Sequence, residues 1–253
     1  MNGAGLSSRI AETAARLLSE GRAEVVIGFE QGSIPMRATP CLITDPADAG
    51  RLIWNAFCSN NLARYLVPGR KSAIVAKGCD SRAIVELVKE RRLKREDVVV
   101  IGVPCRGMAD PSAIARRFPG ICVSSVDETD GMLTLYGGPE PVSVPVSEVL
   151  HASCRLCAAR NPVICDIPLG DPVVENDPGF PDVEAFAALP ADERRARVEA
   201  EMSKCLRCYA CRSACPLCTC ESCFADSSQP QWVARGTHPE DVLAFHVMRA
   251  MHL

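Results

Sequence analysis

Aromatic side chains are scarce in this chain: two Trp, three Tyr and seven Phe make up 5% of 253 residues. That leaves no platform for stacking nucleic-acid bases. A basic excess is also missing. The 28 Lys and Arg are outnumbered by 31 Asp and Glu, for a formal net charge of −3. A nucleic-acid partner is therefore not expected. No apolar run nears the ~18 residues of a membrane span. The segment from Met1 to Leu18 has no basic stretch leading into an apolar one. A secretory leader is therefore not expected, and a cytoplasmic setting is. Both G-x-G-x-x-G and the P-loop pattern are absent. So are internal repeats, and any carboxylate pair or His/Cys dyad spaced for acid–base or nucleophilic work.

Cysteine is what the chain has in excess, with 15. Seven fall within nineteen residues: Cys205, Cys208, Cys211, Cys215, Cys218, Cys220 and Cys223. The first four read C-x2-C-x2-C-x3-C, with Pro216 next, which is the ligand run of a cubane 4Fe-4S cluster. Two-residue gaps let a looping backbone aim several thiolates at one small object. The proline ends the turn, because it fixes φ and offers no N–H. In two-cluster ferredoxins the fourth cysteine of such a run serves the other cluster. Cys215 therefore either completes the site of Cys205, Cys208 and Cys211 or joins another, with Cys218, Cys220 and Cys223 as further candidates.

Disulfides would need an oxidising compartment. Zinc is the stronger rival, since C-x2-C pairs bind it, but zinc sites usually set two pairs a dozen or more residues apart. The compact run favours iron–sulfur, and with it single-electron transfer.

A second cysteine group lies upstream, in CRLCAARNPVICDIPLGD. Cys154 and Cys157 form a C-x2-C pair, and Cys165 follows eight residues on. Three thiols are one short of a cubane; Cys105, Cys79 or Cys58 would complete it. Cys41 and Cys122 read as ordinary buried thiols, packing as small hydrophobes.

Periodicity predicts the frame. Ile10, Ala14, Leu17 and Leu18 mark a helix over 9–20, stopped by Gly21. Strands are expected at Val25–Phe29, Ala73–Ala76, Val98–Val103 and Ile121–Val126. Helices are expected at 62–66, 83–91 and 111–118, the last capped by Asp110 with Pro111 in its first position. Strand–helix alternation implies an α/β core with a partly parallel sheet over 1–150. An upstream cluster loop follows over 151–185, with Pro168, Pro172, Pro178 and Pro181 reading as linker. A charged helix and a ferredoxin-like cluster segment fill 186–225, and a tail and C-terminal helix fill 226–253. That last helix is apolar enough to pack either on its own domain or on a partner subunit. His246 and His252 read as packing or surface residues.

Ligands of open α/β sheets bind beyond the C-terminal ends of the strands. KGCDSR is such a loop, and the helix it opens attracts anions. Lys77, Ser81 and Arg82 are thus candidate contacts to the phosphate of a flavin or nucleotide. The alternative is a helix start capped by Asp80 or Ser81. GVPCRG is the neighbouring loop and sets Cys105 beside it.

A strand ending in GVPC, then C-x2-C, then CDIPLGD resembles the β subunit of the coenzyme F420-reducing hydrogenase and dehydrogenase family. The likeness is carried by Gly102, Pro104 and Cys105, then Cys154, Cys157, Asp166, Gly170 and Asp171, and spans about residues 20–225. It implies a subunit that carries FAD and cubane clusters and relays electrons between a flavin and a partner's cluster chain. It also implies Cys105, Cys154 and Cys157 as ligands. Members that reduce the deazaflavin carry a glycine pair and threonine near the first helix; this chain reads GAGLSSRIAETAARLL there. The seven-cysteine run is richer than short members carry. It resembles subunits that accompany heterodisulfide reductase-type or formate dehydrogenase-type complexes. Expected partners are the other subunits of such a complex or of a hydrogenase. Two readings compete with the relay: a self-sufficient flavin-dependent reductase of a deazaflavin or nicotinamide, and a zinc-stabilised assembly module.

Overall fold

The computed structural model describes residues 3–252. Met1, Asn2, Leu253 and the side chains of Ala4 and His252 lie outside the described part, and the reading of His252 with them. The chain divides between Pro178 and Gly179 into two compact units.

The first unit is built on a five-stranded sheet of order β2-β1-β3-β4-β8. Helix α1 (Gly3–Ser19) buries Ile10, Ala14 and Leu17. Gly21 then takes φ +66°, and the N–H groups of Arg22 and Ala23 turn back to the Leu17 carbonyl. A left-handed glycine of this kind satisfies the last carbonyls of a helix. Strand β1 (Val25–Gln31) pairs antiparallel with β2 (Ala38–Ile43) and parallel with β3 (Ser72–Ala76). Strand β4 (Val98–Gly102) continues the parallel order. Every residue of β3 is buried, the mark of a strand covered on both faces. Helix α2 (Gly78–Lys89) connects β3 to β4, and α3 (Pro111–Arg117) follows. Asp110 caps α3 by accepting from Ser112 N at 2.8 Å, with Pro111 in the first turn.

Three expectations change. Ile121–Val126 is not a third parallel strand. Strand β5 (Ser125–Thr129) instead pairs antiparallel with β6 (Met132–Tyr136), and β7 (Val142–Pro145) completes a separate three-stranded sheet. The reason is local: Asp130 and Gly131 both take positive φ (49° and 77°), which makes a tight hairpin turn. The parallel place beside β4 goes to the two-residue β8 (Ile167–Pro168), anchored by Asp166, which accepts from Val100 N at 2.7 Å. Residues 62–66 form one 3-10 turn, Leu62–Tyr65, rather than an α-helix. Helix α2 starts at Gly78, ahead of the expected 83, because Asp80 caps it from inside by accepting from Lys77 N at 2.8 Å. A four-residue helix, α4 (Ala152–Arg155), closes the list of helices in this unit.

The second unit holds α5 (Pro181–Ala187), α6 (Ala191–Met202), α7 (Ala210–Ala214) and α8 (Pro239–His252). Among its described residues there is no strand, so its likeness to ferredoxins is one of ligand spacing. Its core is small: Ala225, Val233 and Phe245, with Tyr209, Cys223 and Met248 packed against them. Val242, Phe245 and Arg249 form the buried face of α8, while Val247 and Met251 stay exposed. The C-terminal helix therefore packs on its own unit along one face. Among the described residues no helix is long and apolar enough to cross a membrane.

Candidate metal centres

Strands β3 and β4 are parallel and in register, with Ala76 beside Gly102. The chain therefore leaves both at the same sheet edge, and Val103 N ties the two exits by donating to the Ala76 carbonyl at 2.9 Å. Cys79 lies in the first turn of α2, and Cys105 lies three residues past β4. Loop 105–110 then pairs with 149–151. Ala109 bridges to Leu150, and His151 N donates to the Met108 carbonyl at 3.0 Å. That pairing delivers Cys154 on α4. Beyond it the chain folds back over the edge: Cys105 N donates to the Arg160 carbonyl at 2.8 Å, and Arg160 Nη2 to the Cys154 carbonyl at 3.1 Å. Glycine is required at Gly78, where a Cβ would strike the carbonyls of Ala159 and Asn161.

Cys79, Cys105, Cys154 and Cys157 are thereby gathered into one neighbourhood. Cys79 is exposed as a residue, yet packing around its sulfur pushes the thiol up to about 12, with Asp80 adding to the rise. Burial likewise pushes Cys105 up to about 11, against the opposing pull of the Gly107 N–H, which donates to its sulfur at 3.3 Å. Cys105 and Cys157 bear on Cys79, and Cys154 and Cys157 bear on Cys105. Cys79 and Cys105 keep their protons at neutral pH until a metal displaces them, because only the thiolate is a ligand.

Lys77 is the cation of this edge. Its side chain is 2% exposed, and Nζ stands 3.0 Å from Asp80 Oδ2 and 2.9 Å from the Asn60 carbonyl. It also lies 4.7 Å from the Phe29 ring centroid, a cation–π contact. Burial alone would lower the Lys77 value, but Asp80 and Cys79 turn the net direction upward. Asp80 is fully buried and also accepts from Leu62 N at 2.7 Å. Ser81 donates to the Gly78 carbonyl at 2.8 Å and accepts from Val163 N at 2.9 Å. Lys77 and Ser81 thus hold the loop together, and of the three expected phosphate contacts only Arg82 is exposed. The carbonyl oxygens of Ala159 and Asn161 lie close against Gly78 at the start of α2.

Cys165 lies beside the end of β4, its sulfur packed against Gly102. Cys58 is fully buried and accepts from Asn55 N at 3.4 Å, with its thiol pushed up to about 12 by burial. Cys41 is buried as expected, whereas Cys122 is exposed.

The sequence carried no signal for a cleft of about 440 Å³ lined by residues 31–37 and the start of β5, with Arg37, Asn55, Phe57 and Glu128 in its wall. Glu128 braces it by accepting from Ala56 N at 2.7 Å. The size lies within the usual range of small-molecule sites.

In the second unit, Arg207 and Tyr209 alternate with the first three cysteines of the run and take left-handed φ of 53° and 61°. Each costs roughly 1 kcal/mol or more, and together they coil the run tightly. Arg207 N donates to Cys205 Sγ at 3.3 Å. Helix α8 faces the run. Arg249 Nη1 donates to Cys211 Sγ at 2.7 Å and Nη2 approaches Cys218 Sγ at 3.6 Å. His246 Nε2 is 3.1 Å from Cys205 Sγ. Arg212 clamps the end of the run by donating to the Cys220 carbonyl at 2.6 Å. Cys208 and Cys220 are exposed, and Cys215 and Cys223 are half-buried.

All 15 cysteines are free thiols. Among the described residues no three His, Cys, Asp or Glu stand ready to grip a single metal ion. Both groups are thiol neighbourhoods rather than closed cages. Their all-sulfur donors, flanked by N–H groups and cations, fit a soft, negatively charged centre such as iron–sulfur or zinc. They do not fit a hard cation that takes oxygen ligands. Spacing alone leaves Cys105, Cys79 and Cys58 open as the fourth ligand; the parallel register sets the Cys79 and Cys105 segments at the same sheet edge. Arg249 and His246 carried no motif. Their only sequence signal was an apolar helix that also bore them.

Residues 69–186 match the family model for the C-terminal part of the coenzyme F420 hydrogenase/dehydrogenase β subunit. The β subunit of F420-dependent formate dehydrogenase 1 of Methanococcus maripaludis is 22% identical over 94% of this chain and 78% of its own length. The corresponding subunit of Methanocaldococcus jannaschii shows the same 22% identity and the same coverage. Among solved structures, a chain of the F420-reducing NiFe hydrogenase complex of Methanosarcina barkeri matches with a TM-score of 0.49 and 14% identity, over 79% of this chain and 86% of that one.

Proposed function

We propose that this chain, similar to the β subunits of coenzyme F420 hydrogenases and dehydrogenases, is an iron–sulfur electron-transfer subunit of an oxidoreductase complex. It relays electrons between a reduced flavin-type or deazaflavin carrier and the redox chain of partner subunits. The partners are those of a formate dehydrogenase or hydrogenase type, as the relatives' and the family model's names suggest. The observation that carries this reading is the gathering of Cys79, Cys105, Cys154 and Cys157 at one sheet edge.

Iron–sulfur centres supply one-electron storage at thiolate ligands. The chain's own part is to offer the sulfurs, hold them, and offset their charge. Upstream, the Gly107 N–H meets Cys105, Arg160 links the Cys105 and Cys154 segments, and Lys77 provides a buried positive charge. Downstream, Cys205, Cys208, Cys211 and Cys215 are the first four candidates, with Cys218, Cys220 and Cys223 available for a shared or further site. The cleft beside Arg37, Asn55, Phe57 and Glu128 is the place we assign to an FAD or related carrier.

The test is to measure iron, zinc, acid-labile sulfide and flavin per chain after anaerobic purification. About eight iron with matching sulfide is the expected result for two cubanes. Zinc without sulfide would overturn the relay and leave a structural module.

A further inference from the structure

We propose that Arg249, seconded by His246, sets the reduction potential of the downstream centre, so that α8 is a tuning element as well as a packing one. The inference rests on reading residues 205–223 as a redox centre. Arg249 is 7% exposed, and among the described residues its side-chain hydrogen-bond partners are sulfurs and it enters no ion pair. A buried guanidinium without an anion is strongly unfavourable. The groups it does meet are the sulfurs of Cys211 and Cys218. Its charge is therefore answered only when those sulfurs are thiolates, as they are when they hold metal.

The guanidinium suits the task. It remains protonated at every working pH, is weakly hydrated, and spreads several donors in one plane. One fork thus serves two sulfurs that lie seven residues apart in the sequence. The Phe245 ring holds it from behind, with the guanidinium carbon 5.5 Å from the ring centroid. The Arg207 guanidinium sits 5.0 Å from the same centroid but sends its own donors to the carbonyls of Ala234 and Asp241. Arg207 is thus a brace, and Arg249 is the cation that faces sulfur. His246 lies three residues before Arg249 on the same helix and brings a ring nitrogen to Cys205.

The consequence follows from charge. One added electron makes the centre one unit more negative and moves no atom of Arg249. A fixed cation at hydrogen-bond distance favours the reduced form over the oxidised one and raises the potential. Hydrogen bonds to ligating sulfurs act in the same direction.

The experiment uses the full chain, purified anaerobically, with iron and sulfide measured before a redox titration followed by EPR. Arg249→Gln should keep its iron and sulfide while the downstream signal moves negative. The expected change is about tenfold in the reduction equilibrium, which is about 59 mV for a one-electron couple. Arg249→Lys should recover part of that shift, and His246→Leu should show a smaller one of the same sign. The upstream signal should not move in any of the three. An unchanged downstream midpoint in Arg249→Gln at full iron overturns the proposal. If that variant does not take up iron, alkylation rates of the metal-free chains decide. Slower labelling of Cys211 and Cys218 than in the parent, with Cys208 unaltered, supports the contact; equal rates overturn it. A parent chain holding zinc and no sulfide sinks the redox reading itself, and the metal analysis made first separates that failure from this one.

Discussion

The two cysteine groups are held by opposite means. Upstream, four thiols from positions 79 to 157 share one sheet edge because a parallel sheet brings two loop exits together and a third segment folds over them. Their cation, Lys77, lies inside the same core. Downstream, seven thiols lie within nineteen residues, and the cation arrives on a separate helix. The apolar cluster behind them is little more than Ala225, Val233 and Phe245. The upstream group takes its geometry from a fold that stands without it. The downstream group has only a small core behind it, and on the proposed reading what its thiols bind contributes to holding the unit together.

On the proposed iron–sulfur reading, removing the iron is the harshest way to break this contrast. With a chelator and reductant, residues 179–252 should lose protection and be cut by protease, while 3–178 survives as a resistant fragment. Structural metal sites supply on the order of 10 kcal/mol or more to small domains. Survival of both halves would erase the distinction. Single ligand changes come next. Cys208→Ala and Cys154→Ala should each remove about four iron and one reduced EPR signal, and only the former should expose the second unit to protease. Lys77→Met should cost about 3–5 kcal/mol, because it leaves Asp80 charged and unpaired in the core. Urea unfolding of the first unit would report the loss, and the downstream EPR signal should be unaltered. The mildest test separates packing thiols from accessible ones. Cys41, pushed up to about 11, carries little thiolate at pH 8, so alkylation should be on the order of a hundredfold slower than at exposed Cys122, and should accelerate as pH rises toward 11.

The parallel core was legible because β-rich runs at 73–76 and 98–103 are bounded by glycine-containing loops, and burial on both faces leaves them continuously apolar. The Asp110–Pro111 helix start was legible for the same reason: local chemistry decides it. Ile121–Val126 misled because its apolar residues look like a strand in the βαβ series, whereas the Asp130–Gly131 turn binds its tail to β6 instead. The downstream run is visible in the sequence because all of its thiols are local. The upstream group was visible only in part. Cys105, Cys154 and Cys157 stood out by motif, but placing Cys79 at the same edge and Cys165 against Gly102 required knowing which strands are neighbours. Lys77 and Ser81 have the chemistry of phosphate contacts, and only the three-dimensional packing reveals that Asp80, Gly78 and Val163 already occupy them.

The Ala76–Gly102 register also has a consequence in time. Cys79 and Cys105 cannot approach until a strand–helix–strand crossover has closed, and pairings between distant segments are the slow part of folding. The downstream cysteines need no such event, because short loops close fast. Cofactor insertion should therefore have an order, with the local run filling first and the sheet edge last. Chains harvested early in maturation would carry about half their iron, all of it on the C-terminal side of Pro178.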